Sequence, residues 1–223
     1  MFKGALFDLD GVIADTAVFH FAAWKNLVKK HFNADLPDEL EEKTKGISRE
    51  DSLHVILNYL NIQVSDEEFR ALAAEKNEAY VEALNVLNPN YILPGITSFI
   101  SDLKSNHVKI ALASASKNGP LILKKLGLSD AFDAIADPAK VAAGKPAPDI
   151  FLAAAKSLNL DPKDCIGVED AVAGVSAINA SGATSIAVGG VELSQATKRF
   201  NNTSELNFKD VLSAWQSNMA LER

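Results

Sequence analysis

An acidic residue interrupts the first apolar run of this chain, and that interruption limits what the chain can become. The segment LFDLDGVIADT, residues 6–16, carries Asp8, Asp10 and Asp15 within eight positions, and Asp8 follows ALF, which reads as a buried strand. Aspartate is depleted in strands and is costly to bury unless it is paired, hydrogen-bonded or bound to a metal. Any fold of this chain must therefore set Asp8 at a strand end, facing something that compensates it.

The remaining pattern says what kind of strand end this is. From about residue 90 onward, short apolar runs alternate with helical ones. ITSFISDLKSN has Ile96, Phe99, Ile100 and Leu103 at helical spacing, VKIALASAS is a strand running into small residues, and GPLILKKLGL is a helix closed by Gly127. DAIAD, CIGVED and SIAVGG are further strands, separated by the helices PDIFLAAAKSLNL and AVAGVSAINASG. Near-continuous apolar strands alternating with helices predict an α/β fold, a Rossmann-like parallel sheet covered on both faces, with ligands outside the carboxyl ends of its strands.

Between the first strand and residue 90 the pattern is helical only, in AVFHFAAWKNLVKKHF, DELEEKTKG, SREDSLHVILNYL and SDEEFRALAAEKNEAYVEALNVL. Ser48 with Asp51, and Ser65 with Glu68, have capping-box spacing. The predicted division is an α/β catalytic core of residues 1–14 and 92–223, and an inserted all-helical cap of residues 15–91 that carries substrate specificity.

Every predicted strand of the core then ends in groups suited to a phosphate and a cation: Asp8 and Asp10 on the first, Ser114 and Ser116 on the second, Glu169 and Asp170 on a later one. Lys145 sits in GKPAPD, where Pro146 favours an extended lysine and Pro148 starts the next helix. Carboxylates that would repel one another are held together by a hard divalent cation, and Mg²⁺ suits one or two carboxylates plus phosphate oxygens and water. Ser114 and Ser116 also fit as caps of the following helix, because a cap and a phosphate site use the same helix terminus.

At this point the segments DLDGVIAD, ASASKNG, KPAPD and GVEDAVAG resemble, in order and over the whole chain, the four motifs of the haloacid dehalogenase superfamily of phosphoryl-transfer enzymes. The cap segments HFAAW, KGISREDS and AEKN resemble those of members that interconvert β-glucose 1-phosphate and glucose 6-phosphate through a β-glucose 1,6-bisphosphate. The resemblance implies that Asp8 is the nucleophile that forms an aspartyl phosphate and Asp10 the general acid/base, with Ser114, the Ala115 amide and Lys145 holding the transferring phosphate. It implies Mg²⁺ on Asp8, the main-chain carbonyl of Asp10, and Asp170, with Glu169 direct or one step removed. Arg49, Ser116, Lys117 and Asn118 would grip the phosphate that is not being transferred, and Trp24, Gly46, Ser52 and Lys76 would line the sugar site.

Three cap residues raise questions that spacing leaves open. Lys76 falls on the apolar stripe of its helix, four residues from Leu72 and from Tyr80, so it must snorkel or meet an anion. His20 and Trp24 share a helix face, and His20 is either a core histidine or, as the resemblance implies, a group that positions Asp10 when the cap closes. Arg49 opens a helix, where its charge opposes the dipole, so an anion elsewhere explains it better. Ala14 and Ala171 stand where members often carry a small hydroxyl, which touches the hydrogen bonds around Asp15 and Asp170 rather than any catalytic group.

Composition narrows the alternatives. With 48% hydrophobic and 23% charged residues and a net charge of −7, the chain falls in the globular range, and no basic cluster suits nucleic acid. Cys165 is the only cysteine, so no intrachain disulfide forms. No run approaches a membrane span or a signal segment, which makes the cytoplasm the default. The expectation is a cytoplasmic monomer acting on small sugar phosphates and a sugar bisphosphate, without nucleic-acid or membrane partners. A sugar-phosphate phosphatase with the same nucleophile is the enzymatic alternative, and a non-catalytic sugar-phosphate sensor is the alternative of another class.

Overall fold

The computed structural model describes residues 1–221. Six parallel strands form one sheet in the order β3-β2-β1-β4-β5-β6, with β1 Gly4–Phe7, β2 Lys109–Leu112, β3 Ala134–Ile135, β4 Cys165–Glu169, β5 Thr184–Val188 and β6 Lys198–Phe200. β1 lies in the interior of the sheet, with Leu6 beside Ala111 of β2 and Gly167 of β4. The chain moves outward from β1 first through β2 and β3 and then, on the other side, through β4, β5 and β6. That reversal makes the carboxyl end of β1 a topological switch point, where open α/β sheets place their ligands.

Side chains of β1 alternate between two apolar layers, as the two-residue strand period requires. Ala5 and Phe7 join Phe99, Ile110, Leu112, Ile166 and Val168 on one face, and Leu6 joins Ala111, Phe151, Ala154 and Ile178 on the other. α5 Ile96–Ser105 and α9 Phe208–Leu221 cover the first face, whereas α7 Asp149–Ser157 and α8 Val172–Ser181 cover the second. α6 Gly119–Lys125 follows β2, and the left-handed Gly127 ends it as expected.

Two elements escaped the sequence reading: β6, whose segment KRF is too short and too charged to read as a strand, and the C-terminal helix α9. The Lys145–Pro146 peptide bond is cis, and α7 begins at Asp149, one residue after the expected Pro148.

Between β1 and β2 the chain builds α1 Ala17–Phe32, α2 Glu39–Thr44, α3 Arg49–Leu60 and α4 Asp66–Ala83. Ser48 caps α3 by accepting from the Asp51 amide, and Ser65 with Glu68 forms a complete capping box at α4. These helices share an apolar cluster that includes Trp24, Leu27, Leu53, Ile56 and Leu72, drawn from the insertion alone. Its foot is different, because Ala23, Tyr80, Leu84 and Leu87 belong to the cluster that packs on the sheet. The outgoing and returning chains run side by side: Ala14 forms an antiparallel bridge with Ile92, and the Leu93 amide donates to the Ile13 carbonyl at 2.9 Å. No helix among the described residues is long and apolar enough to cross a membrane.

Candidate active site

The ladder continues one residue past β1 on both sides. The Asp8 amide donates to the Val168 carbonyl and the Ala113 amide donates to the Phe7 carbonyl, so the Asp8 backbone is fixed between β2 and β4. Its side chain is only 4% exposed. The buried Lys145 ammonium reaches Asp8 Oδ1 and Glu169 Oε1, each at 2.6 Å. Glu169 is held in turn by two amides, since Oε2 accepts from Asp170 N at 2.7 Å and from Ala171 N at 2.8 Å. Burial pulls Lys145 down, but the Asp8 and Glu169 carboxylates more than offset it and hold the ammonium above its ordinary range. Burial pushes Asp8 well above the carboxylate range, and Lys145 counters this only in part. Asp170 is raised to about 7, by burial first and by the Glu169 charge second.

Such a group of buried acids calls for a cation. Asp8, Glu169 and Asp170 each offer an oxygen within 4.8 Å of the others. Both Glu169 oxygens are already engaged, which leaves Asp8 and Asp170 to bind directly, the small carboxylate set that a hard divalent ion such as Mg²⁺ accepts. Gly11 makes room for this arrangement: it has φ +75°, and a Cβ there would lie 1.7 Å from Asp170 Oδ2.

In front of Asp8 lies an open cavity, about 800 Å³ of empty space when counted out into its mouth. From the sheet side, Asp8, Asp10, Ser114, Ala115, Ser116, Lys117 and Asn118 line it. From the insertion come His20, Trp24, Gly46, Arg49, Ser52 and Lys76. Lys145, Glu169 and Asp170 do not line it and stand behind Asp8. The serines do not cap α6, whose N-cap is Asn118 with no side-chain cap bond; they close two turns of the loop before it, Ser114 Oγ accepting from Ser116 N at 3.0 Å and Ser116 Oγ from Asn118 N at 3.3 Å. Of the two readings of these serines, the structure gives the cavity wall and not the helix cap, because the loop runs on to Asn118 before the helix begins.

Lys76 does not snorkel, and no carboxylate contacts its ammonium. It is 1% exposed, its ammonium lies 2.5 Å from His20 Nδ1, and the rings of Trp24 and Tyr80 flank it at 4.8 Å. Two aromatic faces and an imidazole lone pair take the place of an anion. Burial lowers Lys76 to about 7, with Asp10 pulling the other way. A lysine offers no acceptor when charged, so Nδ1 of His20 accepts and its proton sits on Nε2, which points toward Asp10 Oδ1 at 3.7 Å. Burial, and then the charges of Lys76 and Arg49, hold His20 well below its ordinary value, as a neutral ring stacked on Tyr80.

Two residues of this site carried no signal that the sequence reading used. Thr16 donates its hydroxyl to Asp10 Oδ1. Burial raises Asp10, and this hydrogen bond moderates the rise. Lys45, adjacent to Gly46, reaches Asp170 Oδ2 at 3.0 Å. Other residues that line the cavity are partly committed elsewhere. Arg49 donates to the Ala73 carbonyl at 3.3 Å, Ser52 donates to the Ser48 and Thr44 carbonyls, and Lys117 pairs with Glu50 at 3.3 Å. Asn118 donates to Asn77 Oδ1 at 3.0 Å. Ala14 is fully buried at the bridge to Ile92, and Ala171 faces Gly46, where a Cβ on the glycine would lie 2.8 Å from the alanine methyl.

Comparison with known proteins places this geometry. Residues 2–182 match the model of the haloacid dehalogenase-like hydrolases. The chain is 42% identical to a β-phosphoglucomutase of Bacillus subtilis, over 96% of each chain. It is 28% identical to a phosphorylated carbohydrates phosphatase of Thermotoga maritima, over 81% of this chain and 82% of that one. The crystal structure of a β-phosphoglucomutase from Clostridium difficile superposes with a TM-score of 0.95 at 44% identity, covering 99% of this chain and all of that one.

Proposed function

Because the chain belongs to the haloacid dehalogenase-like hydrolase family, we propose that it works as a phosphomutase, an isomerase interconverting β-glucose 1-phosphate and glucose 6-phosphate through β-glucose 1,6-bisphosphate. The observation that carries this reading is that one cavity is lined both by Asp8 and by a second set of phosphate donors. Asp8 stands at one wall, and Arg49, Lys117 and Asn118 supply donors elsewhere on the same enclosed surface. A phosphatase needs to hold only the phosphate it removes. A mutase must hold a bisphosphate by either end, and a guanidinium beside a lysine suits the phosphate that is not reacting.

In this mechanism phospho-Asp8 receives β-glucose 1-phosphate. The sugar 6-hydroxyl attacks phosphorus, the bond to Asp8 breaks, and Asp10 takes the hydroxyl proton. The bisphosphate then binds in the other orientation, and an Asp8 oxygen attacks the phosphorus on the 1-oxygen. The leaving oxygen takes the proton back from Asp10, glucose 6-phosphate departs, and the aspartyl phosphate is restored. Burial raises the Asp10 carboxyl, which favours its holding that proton. Lys145, Ser114 and the Ala115 amide would hold the transferring phosphate. His20, with its Nε2 proton aimed at Asp10, would draw Asp10 from Thr16 toward the sugar oxygen. Asp8, the Asp10 main-chain carbonyl and Asp170 would hold Mg²⁺, with Glu169 one step removed, and the bound ion supplies charge neutralisation for the phosphate and keeps Asp8 ionised.

Residues 1–14 and 92–223 are read as the catalytic core and 15–91 as the specificity cap, supported by the apolar cluster that belongs to the insertion alone. A monomer suffices for this chemistry, because one chain lines the whole cavity. The cytoplasm, where phosphorylated sugars form, is the compartment that suits it. Phosphorus NMR of the protein with β-glucose 1-phosphate, Mg²⁺ and a trace of bisphosphate tests the reading: glucose 6-phosphate should accumulate. Inorganic phosphate appearing at the rate of substrate loss would assign a phosphatase instead.

A further inference from the structure

Lys43 and Lys45 stand two residues apart at the end of α2, and they have different surroundings. Lys43 is exposed. Lys45 turns inward, with a side chain only 24% exposed, and its ammonium lies 3.0 Å from Oδ2 of Asp170, whose own side chain is 8% exposed. The loop that carries Lys45 is pressed against the sheet: Gly46 has φ +74° and no room for a Cβ against Ala171, the residue after Asp170. This ion pair joins the helical insertion to the acid cluster behind Asp8, across 125 residues of sequence.

The cluster thus has two lysines with different attachments. Lys145 belongs to the sheet side and sits between Asp8 and Glu169 with no exposed side-chain surface. Lys45 arrives with the insertion and serves Asp170, the acid that Lys145 does not reach. A monovalent ammonium and a divalent ion at the same carboxylate repel each other at short range, where a partly buried site screens weakly.

We propose that Lys45 is the insertion's substitute for a metal at Asp170: it holds the helices over the site while Asp170 lacks a divalent ion, and it releases Asp170 when one binds. Metal occupancy and the position of the insertion are then linked, and by reciprocity each opposes the other by the same factor. This inference rests on the reading of Asp8 and Asp170 as metal ligands.

The test is calorimetric titration of Mg²⁺ into the sugar-free protein, comparing wild type with Lys45→Met, Lys45→Arg and Asp170→Asn. Lys45→Met should bind Mg²⁺ about tenfold more tightly, the gain expected when one competing charge is removed. Lys45→Arg, which keeps the charge, should stay near wild type. In small-angle scattering, Mg²⁺ should expand the wild type and leave Lys45→Met unchanged. If Lys45→Met binds Mg²⁺ no more tightly than wild type while Asp170→Asn has lost it, the role of Lys45 is overturned and the metal site stands. If Asp170→Asn binds as wild type does, the metal assignment itself is wrong, and this inference falls with it.

Discussion

Two lysines are buried at this site, one among the acids of the sheet side and one in the insertion, and they are accommodated in opposite ways. Lys145, on the sheet side, touches two carboxylates at 2.6 Å and is held firmly protonated. Lys76, on the insertion side, touches a neutral imidazole and two aromatic rings, and burial brings it to about 7. The sheet side gives its lysine two carboxylate partners and still holds acids that call for a cation, whereas the insertion wall collects Lys76, Arg49 and a neutral His20 with no carboxylate in direct contact with the lysine. An anionic sugar phosphate entering the cavity supplies that second wall with the charge it lacks. On the proposed reading, chemistry belongs to the sheet side and recognition to the insertion.

The most severe way to test this division is on the sheet side. Asp8→Asn should abolish turnover, and with it any hydroxylamine-labile phosphorylation, for every phosphoryl donor, because an amide cannot form the acyl phosphate. Phosphoprotein assays with both the sugar bisphosphate and acetyl phosphate check it, and wild-type-like labelling from either would move the nucleophile elsewhere. On the insertion side, His20→Ala should lower the mutase rate by on the order of 10²–10⁴-fold, the range that a well-placed acid or base supplies. Phosphoenzyme decay in the absence of sugar should fall far less. Equal losses in both rates would return His20 to the role of a core histidine.

A smaller and more selective effect is expected at Arg49. Arg49→Ala should weaken the bisphosphate by on the order of tenfold to a hundredfold, as loss of a charge-assisted phosphate contact implies, while acetyl phosphate, which has no second phosphate, reacts as before. Steady-state kinetics with the two donors decides it, and a common loss would place Arg49 outside the recognition wall.

Lys76 gives the finest comparison, through the pH dependence of stability. Its folded value, about 7, lies below the 10.5 of a free lysine, so between these values the unfolded chain binds more protons than the folded one. The destabilisation is therefore complete below pH 7 and fades as pH rises toward 10.5, with a full span on the order of a few kcal/mol. Lys76→Met should raise the unfolding midpoint most near pH 6 and least near pH 10, as thermal melts in matched buffers would reveal. A constant difference across that range would mean that Lys76 is not protonated at the cost of burial.

The sheet wall was far more legible in the sequence than the insertion wall. Asp8 declared itself by interrupting ALF, and the serines and the acid pair each follow an apolar strand, so the parallel topology alone brings them together. The insertion residues meet the site through contacts that no local pattern encodes. Lys45 lies in ELEEKTKG, which reads as a solvated charge run, and its partner is Asp170, far along the chain. Thr16 looks like an ordinary helix-entry residue until its hydroxyl is found on Asp10. The helical stripe identified Lys76 as anomalous, but periodicity reports which face is buried and not what waits there. Strand β6 was missed because KRF is short and depends on β5 for its pairing.

The paired strands at Ala14 and Ile92, with Leu93 hydrogen-bonded to Ile13, have a mechanical consequence. Two chain segments bridged side by side, below helices that share one apolar cluster, favour motion of the insertion as a single body. His20, Lys45, Arg49 and Lys76 then move like teeth on one key. Their approach to the sheet wall is correlated, and a ligand that lacks the feature one of them reads forfeits the contribution of the others as well.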